Sequence, residues 1–415
     1  MKLKNYSSGQ WLEHKGQGYA QHNAITGELI STAGSEGLDY EEMADYARRV
    51  GGKALRNMTF YERGYMLKKL ALHLNTIKKK YYDISYLTGA TKSDSWVDID
   101  GGIGTLFTYA SLRRQMGNQR FYVDGDTANL SKQGTFVGQH IMSPKQGVVV
   151  HINAFNFPIW GMLEKLSANW LAGVPAIVKP SEITSYLTQA MVEDIVASGL
   201  VPEGAIQLDC GKGNGIIDNL TSQDLITFTG SAKTGRMLKS MPHIIENAIP
   251  FNMEADSLNA AILGEDAAPG TPDFDIFIKE IRREITTKAG QKCTAVRRII
   301  VPEKYLEDTQ IALGKALSKT TIGDPAVEGV RMGALVNRQQ MEVVRERVQE
   351  LSVKTPIVVG DLEQFDLVGA DKAKGAFLAP MIMLNENPME ITQSHEIECF
   401  GPVSTLMPYK DFDEA

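Results

Sequence analysis

The sequence predicts an α/β fold, and three features carry that reading. Between residues 147 and 228, short apolar stretches rich in β-branched residues alternate with helical patterns. Residues 40–117, ahead of that alternation, are mostly helical in pattern. A second α/β segment opens at the strand candidate Ala260-Ala261-Ile262-Leu263. Strands separated by helices imply right-handed crossovers and a parallel sheet covered on both faces. Such sheets bind ligands outside the carboxyl ends of their strands.

Each element has a local reason. Tyr61–Leu74 places apolar residues three and four apart, the spacing of one helical face. Residues 121–143 switch to short alternating segments broken by glycine, which predicts a hairpin. The parallel strands are expected at Gly147–Ile152, Ala176–Lys179, Ala205–Leu208 and Leu225–Phe228. Helices are expected at Trp160–Leu171 and Thr184–Ser198 between the first three. Farther along, Phe274, Phe277, Ile278, Ile281 and Ile285 mark an apolar helical face, and Arg298-Ile299-Ile300-Val301 marks a strand.

Composition narrows the class. The chain has 415 residues, 43% apolar and 22% charged, which suits a soluble globular protein of two or three domains. A net charge of −7 argues against nucleic acid or an anionic membrane as the main partner. No apolar run is long enough to span a bilayer, and the N-terminus does not lead into a signal-peptide core. Cys210, Cys293 and Cys399 lie far apart and fit neither a zinc pattern nor a disulfide framework, so no metal site is expected and a cytoplasmic location is. The last residues, Lys410-Asp411-Phe412-Asp413-Glu414-Ala415, read as the interruption of a longer polypeptide.

Cys293 is the most informative residue. It follows a helical pattern and precedes a strand, so it is expected on a short connection between packed elements. Lys288, Lys292 and Arg297 are close in sequence, and positive charge favours the nucleophilic thiolate. The window alone equally allows an inert structural thiol. Asn156, in Asn153-Ala154-Phe155-Asn156-Phe157-Pro158, follows a strand and could donate to an oxyanion; alone it also reads as a turn residue. Lys179-Pro180-Ser181-Glu182 ends the next strand and suits ribose hydroxyls, or a solvated turn. Thr229-Gly230-Ser231 sits between a strand and a helix start, where N–H groups can face a phosphate, and is not a GxGxxG pattern. Glu254 follows an apolar segment; a partly buried carboxylate there could be a general base, and the other reading is an exposed acid at a strand end.

In order and context, these motifs resemble the NAD(P)-dependent aldehyde dehydrogenase superfamily over essentially the whole chain. The resemblance implies a Rossmann-type cofactor domain over residues 1–253, with a small oligomerisation hairpin near 121–143. It implies a catalytic domain over 254–415, incomplete at its C-terminus. It makes Cys293 the nucleophile, Glu254 the general base and Asn156 the oxyanion donor. It assigns Lys179, Ser181 and Glu182 to the adenosine ribose region and Gly230 and Ser231 to the pyrophosphate. Glu398 and Phe400, in Glu398-Cys399-Phe400-Gly401-Pro402, would contact the nicotinamide ribose and ring. Gly323-Asp324-Pro325 and Met332-Gly333-Ala334-Leu335 match supporting motifs. One departure stands out: the family usually follows its base with Leu-Gly-Gly, and here Ala255-Asp256-Ser257 follows.

His151–Phe157, Met253–Asn259 and Thr286–Val301 carry a narrower resemblance, to the dehydrogenase half of the bifunctional phenylacetic acid degradation family. That family joins the dehydrogenase to a hydratase-like domain that opens the ring of oxepin-CoA. The resemblance implies NADP, with NAD as the alternative, a CoA-linked semialdehyde as substrate, and a homo-oligomer. Other readings are oxidation of a different aliphatic or aromatic aldehyde, CoA-acylating dehydrogenation, and a non-catalytic binding protein on the same fold.

Overall fold

A computed structural model describes residues 1–415. The chain forms two compact units. The first comprises Met1–Gln21, Ser31–Tyr81 and Val97–Ala255, and the second His22–Ile30, Tyr82–Trp96 and Asp256–Ala415.

Strands β1 (Lys4–Ser7) and β2 (Gln10–Glu13) open the chain, followed by the small pair β3 (Tyr19–His22) and β4 (Leu29–Ala33). Helices α1 (Tyr40–Tyr46), α2 (Lys53–Asn57), α3 (Phe60–Ile77), α4 (Lys79–Ser85), α5 (Lys92–Ser111) and α6 (Arg113–Met116) fill the predicted helical stretch. Helix α3 starts where the sequence supplies a capping box: Thr59 Oγ1 accepts from the Glu62 N–H, and the Glu62 carboxylate accepts from the Thr59 N–H. The antiparallel hairpin of β5 (Tyr122–Asn129) and β6 (Val137–Met142) lies where residues 121–143 predicted one.

The core of the first unit is a seven-stranded sheet. It contains β7 (Val149–Ile152), β8 (Ala176–Lys179), β9 (Ile206–Leu208), β10 (Leu225–Gly230) and β11 (Phe251–Ala255), in the order β11-β10-β7-β8-β9-β1-β2. The five from β7 to β11 are parallel, and β1 and β2 extend the sheet antiparallel. Helices α7 (Pro158–Ala172) and α8 (Ser185–Ala197) carry the crossovers from β7 to β9; α9 (Ala232–Lys239) and the short α10 (Pro242–Glu246) lie between β10 and β11. From β7 the chain steps one way to β8 and β9, then returns to β7's other side for β10 and β11. The strand order therefore reverses between β7 and β10, which is where an open α/β sheet leaves a crevice at its carboxyl edge.

Two devices fix the entry to α7. Pro158 occupies the first turn, where a missing N–H costs nothing. The buried Asp98 carboxylate accepts from the N–H groups of Ile159 (3.0 Å) and Trp160 (2.7 Å), donors left without intrahelical partners. The Asn153–Phe157 turn is thereby held between a pinned strand and a pinned helix.

In the second unit, β12 (Asn259–Ile262), β13 (Val296–Pro302), β15 (Met381–Leu384) and β16 (Val403–Tyr409) form a parallel sheet in the order β12-β13-β16-β15, with β14 (Ile357–Val359) antiparallel at the edge. Helix α11 (Pro272–Thr286) buries Phe274, Ile278, Ile281 and Ile285, and α12 (Leu306–Leu317) buries Leu313 and Leu317 in the same core. Helix α13 (Arg338–Ser352) buries Met341, Val344 and Val348 in the other core of this unit. No helix is long and apolar enough to cross a membrane.

Asp224 anchors the amino-terminal edge of the first sheet. Its carboxylate accepts from the N–H groups of Val148 (2.7 Å) and Thr221 (2.6 Å) and from Arg48 Nη2 (2.7 Å). Burial pushes its pKa up, but these donors outweigh burial and the carboxyl sits below its ordinary value. A depressed folded pKa contributes stability that is complete above the unfolded value and lost as pH falls through the folded one. Asp224→Asn should therefore lower stability at pH 7 by about 3 kcal/mol, because Arg48 loses its buried carboxylate partner and keeps only the half-exposed Asp45. The variant should also lose less stability than wild type on acidification below about pH 4. Melting temperatures at pH 7 and pH 3.5 check this, and equal acid sensitivity of the two proteins would refute it.

Candidate active site

The register of the first sheet brings the candidate residues of that unit to one edge. Ile152, Lys179 and Phe228 are lateral neighbours across β7, β8 and β10, and Thr229 pairs with Glu254 across β10 and β11. Asn153, Ser181, Gly230 and Ser231 follow directly at the carboxyl ends. Asn156 is three residues farther and buried, 7% exposed. Glu254 is the penultimate residue of β11 and is exposed, the strand-end acid of its two sequence readings and not the partly buried one. Its pleat position decides this: the sheet ends there, and alternation turns the side chain outward.

Lys179 is 8% exposed and its Nζ lies 3.4 Å from Glu182 Oε2. Gln21 Nε2 donates to the Glu182 carbonyl at 2.6 Å and holds the turn that carries the pair. Ser231 caps α9: its Oγ accepts from the Thr234 N–H at 3.3 Å. The cap leaves other N–H groups of the first turn directed out of the helix, as a phosphate requires. Asn153 is 4% exposed, and neither its amide nitrogen nor its amide oxygen finds a hydrogen-bonding partner in the protein. A buried donor and acceptor left open at the edge of a parallel sheet suit a bound polar group. Orphan amide, cation–carboxylate pair and helix N-terminus are together the donor set that a dinucleotide needs, and the residues fit it.

Lys165, which the sequence reading passed over, belongs to this edge. Lys165, on α7, donates to Thr229 Oγ1 at 2.9 Å, and Thr229 Oγ1 donates to Glu254 Oε2 at 3.5 Å. Burial lowers the Lys165 pKa against the opposing pull of Glu164 and Glu254. The signal was present: a lysine on the largely buried helix Pro158–Ala172 needs a polar partner. His151, beneath the edge, is fully buried; burial first and Lys165 second drive its pKa well down, so it is neutral.

The second unit carries Cys293, Glu398 and Phe400. Cys293 follows α11 and precedes β13, on the short connection predicted for it, and is exposed, whereas Cys210 and Cys399 are buried. The approach to it is strained. Lys288 and Ala289 adopt φ of 53° and 49°, and Gly290 follows at 69°. A Cβ on Gly290 would meet the Gly401 carbonyl oxygen at 2.0 Å, so glycine is required there. Side chains hold the strained turn in place. Asp94 accepts from the Lys288 N–H at 2.8 Å, Lys288 Nζ donates to Thr88 Oγ1 at 2.6 Å, and Gln291 Oε1 accepts from the Val336 N–H at 3.0 Å.

The three cations near Cys293 all have structural partners. Besides Lys288, Lys292 pairs with Glu284 at 2.7 Å. Arg297 is 4% exposed and donates to the carbonyls of Gly401 (2.8 Å), Gly290 (2.7 Å) and Lys292 (3.3 Å). Its Nε faces Glu398 Oε1 at 3.4 Å, and its guanidinium stands 5.8 Å from the centre of the Phe400 ring. Burial raises the Glu398 pKa beyond what Arg297 and the Ser257 N–H offset. Phe400 has φ of 47°, a further left-handed residue in this cluster.

The model of the aldehyde dehydrogenase family matches residues 11–415. The chain belongs to that family. It is an oxidoreductase, as its relatives are. It is 41% identical over its full length to a 3,4-dehydroadipyl-CoA semialdehyde dehydrogenase of Aromatoleum evansii and covers 81% of that protein. Its fold is shared with a betaine aldehyde dehydrogenase of Staphylococcus aureus solved with NAD+, at a TM-score of 0.84 and 22% identity over 100% of this chain and 79% of that one. An aldehyde dehydrogenase of Bacillus cereus in an NAD+ complex matches at a TM-score of 0.82 and 22% identity, over 100% of this chain and 81% of that one.

In this aldehyde dehydrogenase the three thiols are unequal. Burial pushes the Cys399 pKa up to about 12 and raises that of Cys210 well above its ordinary value. A thiol reagent should therefore find Cys293 first. One equivalent of iodoacetamide at pH 8 should add a single carbamidomethyl group, located by peptide mapping on Cys293. Modification of Cys210 or Cys399 at a comparable rate would refute this.

Proposed function

We propose that the chain oxidises an aldehyde to a carboxylic acid with a nicotinamide dinucleotide, and that the aldehyde is a CoA-linked semialdehyde of phenylacetate degradation. The observation that carries the substrate class is the 41% identity, over the full length of this chain, to a relative named for 3,4-dehydroadipyl-CoA semialdehyde. The exposed Cys293, alone among three cysteines in being accessible, supports the nucleophile.

The Cys293 thiolate attacks the carbonyl carbon and gives a thiohemiacetal oxyanion. The Asn156 side chain and the Cys293 N–H stabilise that charge; one such donor is worth about 10²–10³ in rate. Lys179, Ser181, Glu182, Gly230 and Ser231 would hold a nicotinamide dinucleotide at its adenosine and pyrophosphate end, Glu398 and Phe400 would hold the other end, and the group would supply the hydride acceptor when bound. Loss of hydride leaves a thioester on Cys293. Glu254 takes a proton from water, which attacks the thioester and frees the acid. The Lys165–Thr229–Glu254 chain of hydrogen bonds supports Glu254 in that step, because it orients one carboxylate oxygen and leaves the other for water. The exposed side chains of Phe136, Val137, Ile141 and Met142 on the β5–β6 hairpin support a homo-oligomer built through it. The reading is of a cytoplasmic enzyme.

The mechanism separates acylation from deacylation. Cys293→Ala should abolish turnover and leave dinucleotide binding intact. Glu254→Gln should give a burst of reduced cofactor near one equivalent, then turnover slowed by about 10²–10⁴. Stopped-flow absorbance with the full-length protein and a CoA-linked semialdehyde, set against simple aldehydes, measures both. Near wild-type turnover of Cys293→Ala would sink the mechanism, and loss of the burst in Glu254→Gln would move that residue to another role.

For the cofactor, resemblance favours NADP and residue chemistry keeps NAD as the alternative. A carboxylate at position 182 suits free ribose hydroxyls and opposes a 2′-phosphate. Lys179, 3.4 Å from it, partly neutralises that charge and can itself meet the phosphate. Both dinucleotides should bind. Glu182→Thr should raise kcat/KM for NADP relative to NAD, and an unchanged ratio would show that Glu182 does not read the 2′ position.

A further inference from the structure

We infer that Ser257 and Asn259 are positioning residues that set the reactive geometry of Cys293 by holding its main-chain carbonyl. The inference rests on the nucleophile reading above. The Cys293 carbonyl oxygen accepts from two side chains: the Ser257 hydroxyl donates to it, and Asn259 Nδ2 donates at 2.8 Å. The same amide reaches the Ala295 carbonyl at 3.0 Å and Ser257 Oγ at 3.2 Å, so hydroxyl, amide and two carbonyls form one cluster.

The placement matters because Cys293 lies in neither a helix nor a strand. No regular ladder orients the peptide after it. Pinning the carbonyl oxygen fixes rotation about the Cα–C bond of Cys293, and with it the direction in which Cβ and the thiol leave the chain. Ser257 is itself anchored, since its N–H donates to Glu398 Oε2 at 3.2 Å. Glu398 faces Arg297, which holds the Gly290 and Lys292 carbonyls on the upstream side of the thiol. The nucleophile is thus gripped from both sides, upstream by a guanidinium and downstream by a hydroxyl and an amide. The downstream grip depends on side chains that follow the proposed base by three and five positions, so the segment after Glu254 acts on the nucleophile.

Removing the hydroxyl leaves the Ser257 N–H to Glu398 intact, which makes the test specific. With the full chain, Ser257→Ala should lower kcat by roughly 10- to 100-fold, the scale of a misoriented attacking group. KM for the aldehyde and the dissociation constant of the dinucleotide should stay within about threefold of wild type. The melting temperature should move by no more than about 3 °C. Ser257→Thr, which keeps the hydroxyl, should recover kcat to within about threefold of wild type. Asn259→Asp, which keeps the shape and removes the donor, should fall with Ser257→Ala. In the cofactor-free protein, iodoacetamide should still modify Cys293 to one equivalent in Ser257→Ala, showing that the thiol is present and accessible. The inference is overturned if Ser257→Ala keeps kcat within twofold of wild type, if Ser257→Thr is as slow as Ser257→Ala, or if kcat, dinucleotide affinity and melting temperature fall together. A turning-over Cys293→Ala would instead bring down the nucleophile reading, and this inference with it. An inactive Cys293→Ala beside a fully active Ser257→Ala removes only the inference.

Discussion

The loops around Cys293 in the second unit depend on the contacts of Arg297. Its guanidinium is buried, yet no carboxylate makes a bidentate pair with it; it spends its donors on the carbonyls of Gly290, Lys292 and Gly401. Those carbonyls belong to two separate stretches of chain, the approach to Cys293 and the Glu398–Gly401 segment. Burial lowers its pKa and Glu398 opposes that shift, so Glu398 helps to keep the charge in place. A planar fork with five donors can satisfy both stretches at once, and a lysine in its place could not. The cation that sequence proximity suggested as a thiol activator is therefore first a tie between the loop that bears Cys293 and the Glu398–Pro402 motif.

In the first unit the corresponding constraint is strand register. Asn153, Lys179, Ser231 and Glu254 are spread over about a hundred positions of sequence. Parallel pairing without slippage across β8, β7, β10 and β11 brings them to one edge. A slip of one residue in any pairing would turn the side chains of that strand to the other face. Asp224, which binds the start of β7 to the turn before β10, is placed to prevent such a slip. A carboxylate at the amino-terminal edge of the sheet thus secures the functional carboxyl edge.

Much of this was legible in the sequence. Strands β7, β8 and β10 stood out because their cores are runs of Val, Ile and Phe, and α7 was expected over Trp160–Leu171 between the first two. The connection bearing Cys293 was legible because helical periodicity stops at Ile285 and a β-branched run starts soon after. Other features were not. For Glu254 the sequence left partial burial and exposure at a strand end both open, because the apolar run before it reports the strand and not where the sheet ends. Lys165 and Thr229 sit on different elements, so no local pattern joins them. The excursions of His22–Ile30 and Tyr82–Trp96 into the second unit leave no mark either, since periodicity reports a helix or strand and not the core it packs against. Asp256-Ser257 was visible only as a departure from Leu-Gly-Gly; the role of Ser257 emerged once its hydroxyl was seen on the Cys293 carbonyl.

The strain around Cys293 follows from the same economy of contacts. Lys288, Ala289, Asp256 and Phe400 all hold left-handed backbone conformations without being glycine. Each costs roughly 1–2 kcal/mol relative to an ordinary conformation, so together they are a sizeable fraction of a protein's net stability. Such a cost persists only where neighbouring bonds over-determine the conformation. Asp94 and Thr88 do this for Lys288, Gln340 reaches the Phe400 carbonyl at 3.2 Å, and the Ser257–Glu398 bond follows immediately on Asp256. These four strained residues lie on the approach to Cys293, beside Glu398 and just before Ser257, and each adjoins a side-chain bond that no helix or strand requires. A backbone held this way presents the Cys293 thiol in one orientation without help from a ligand.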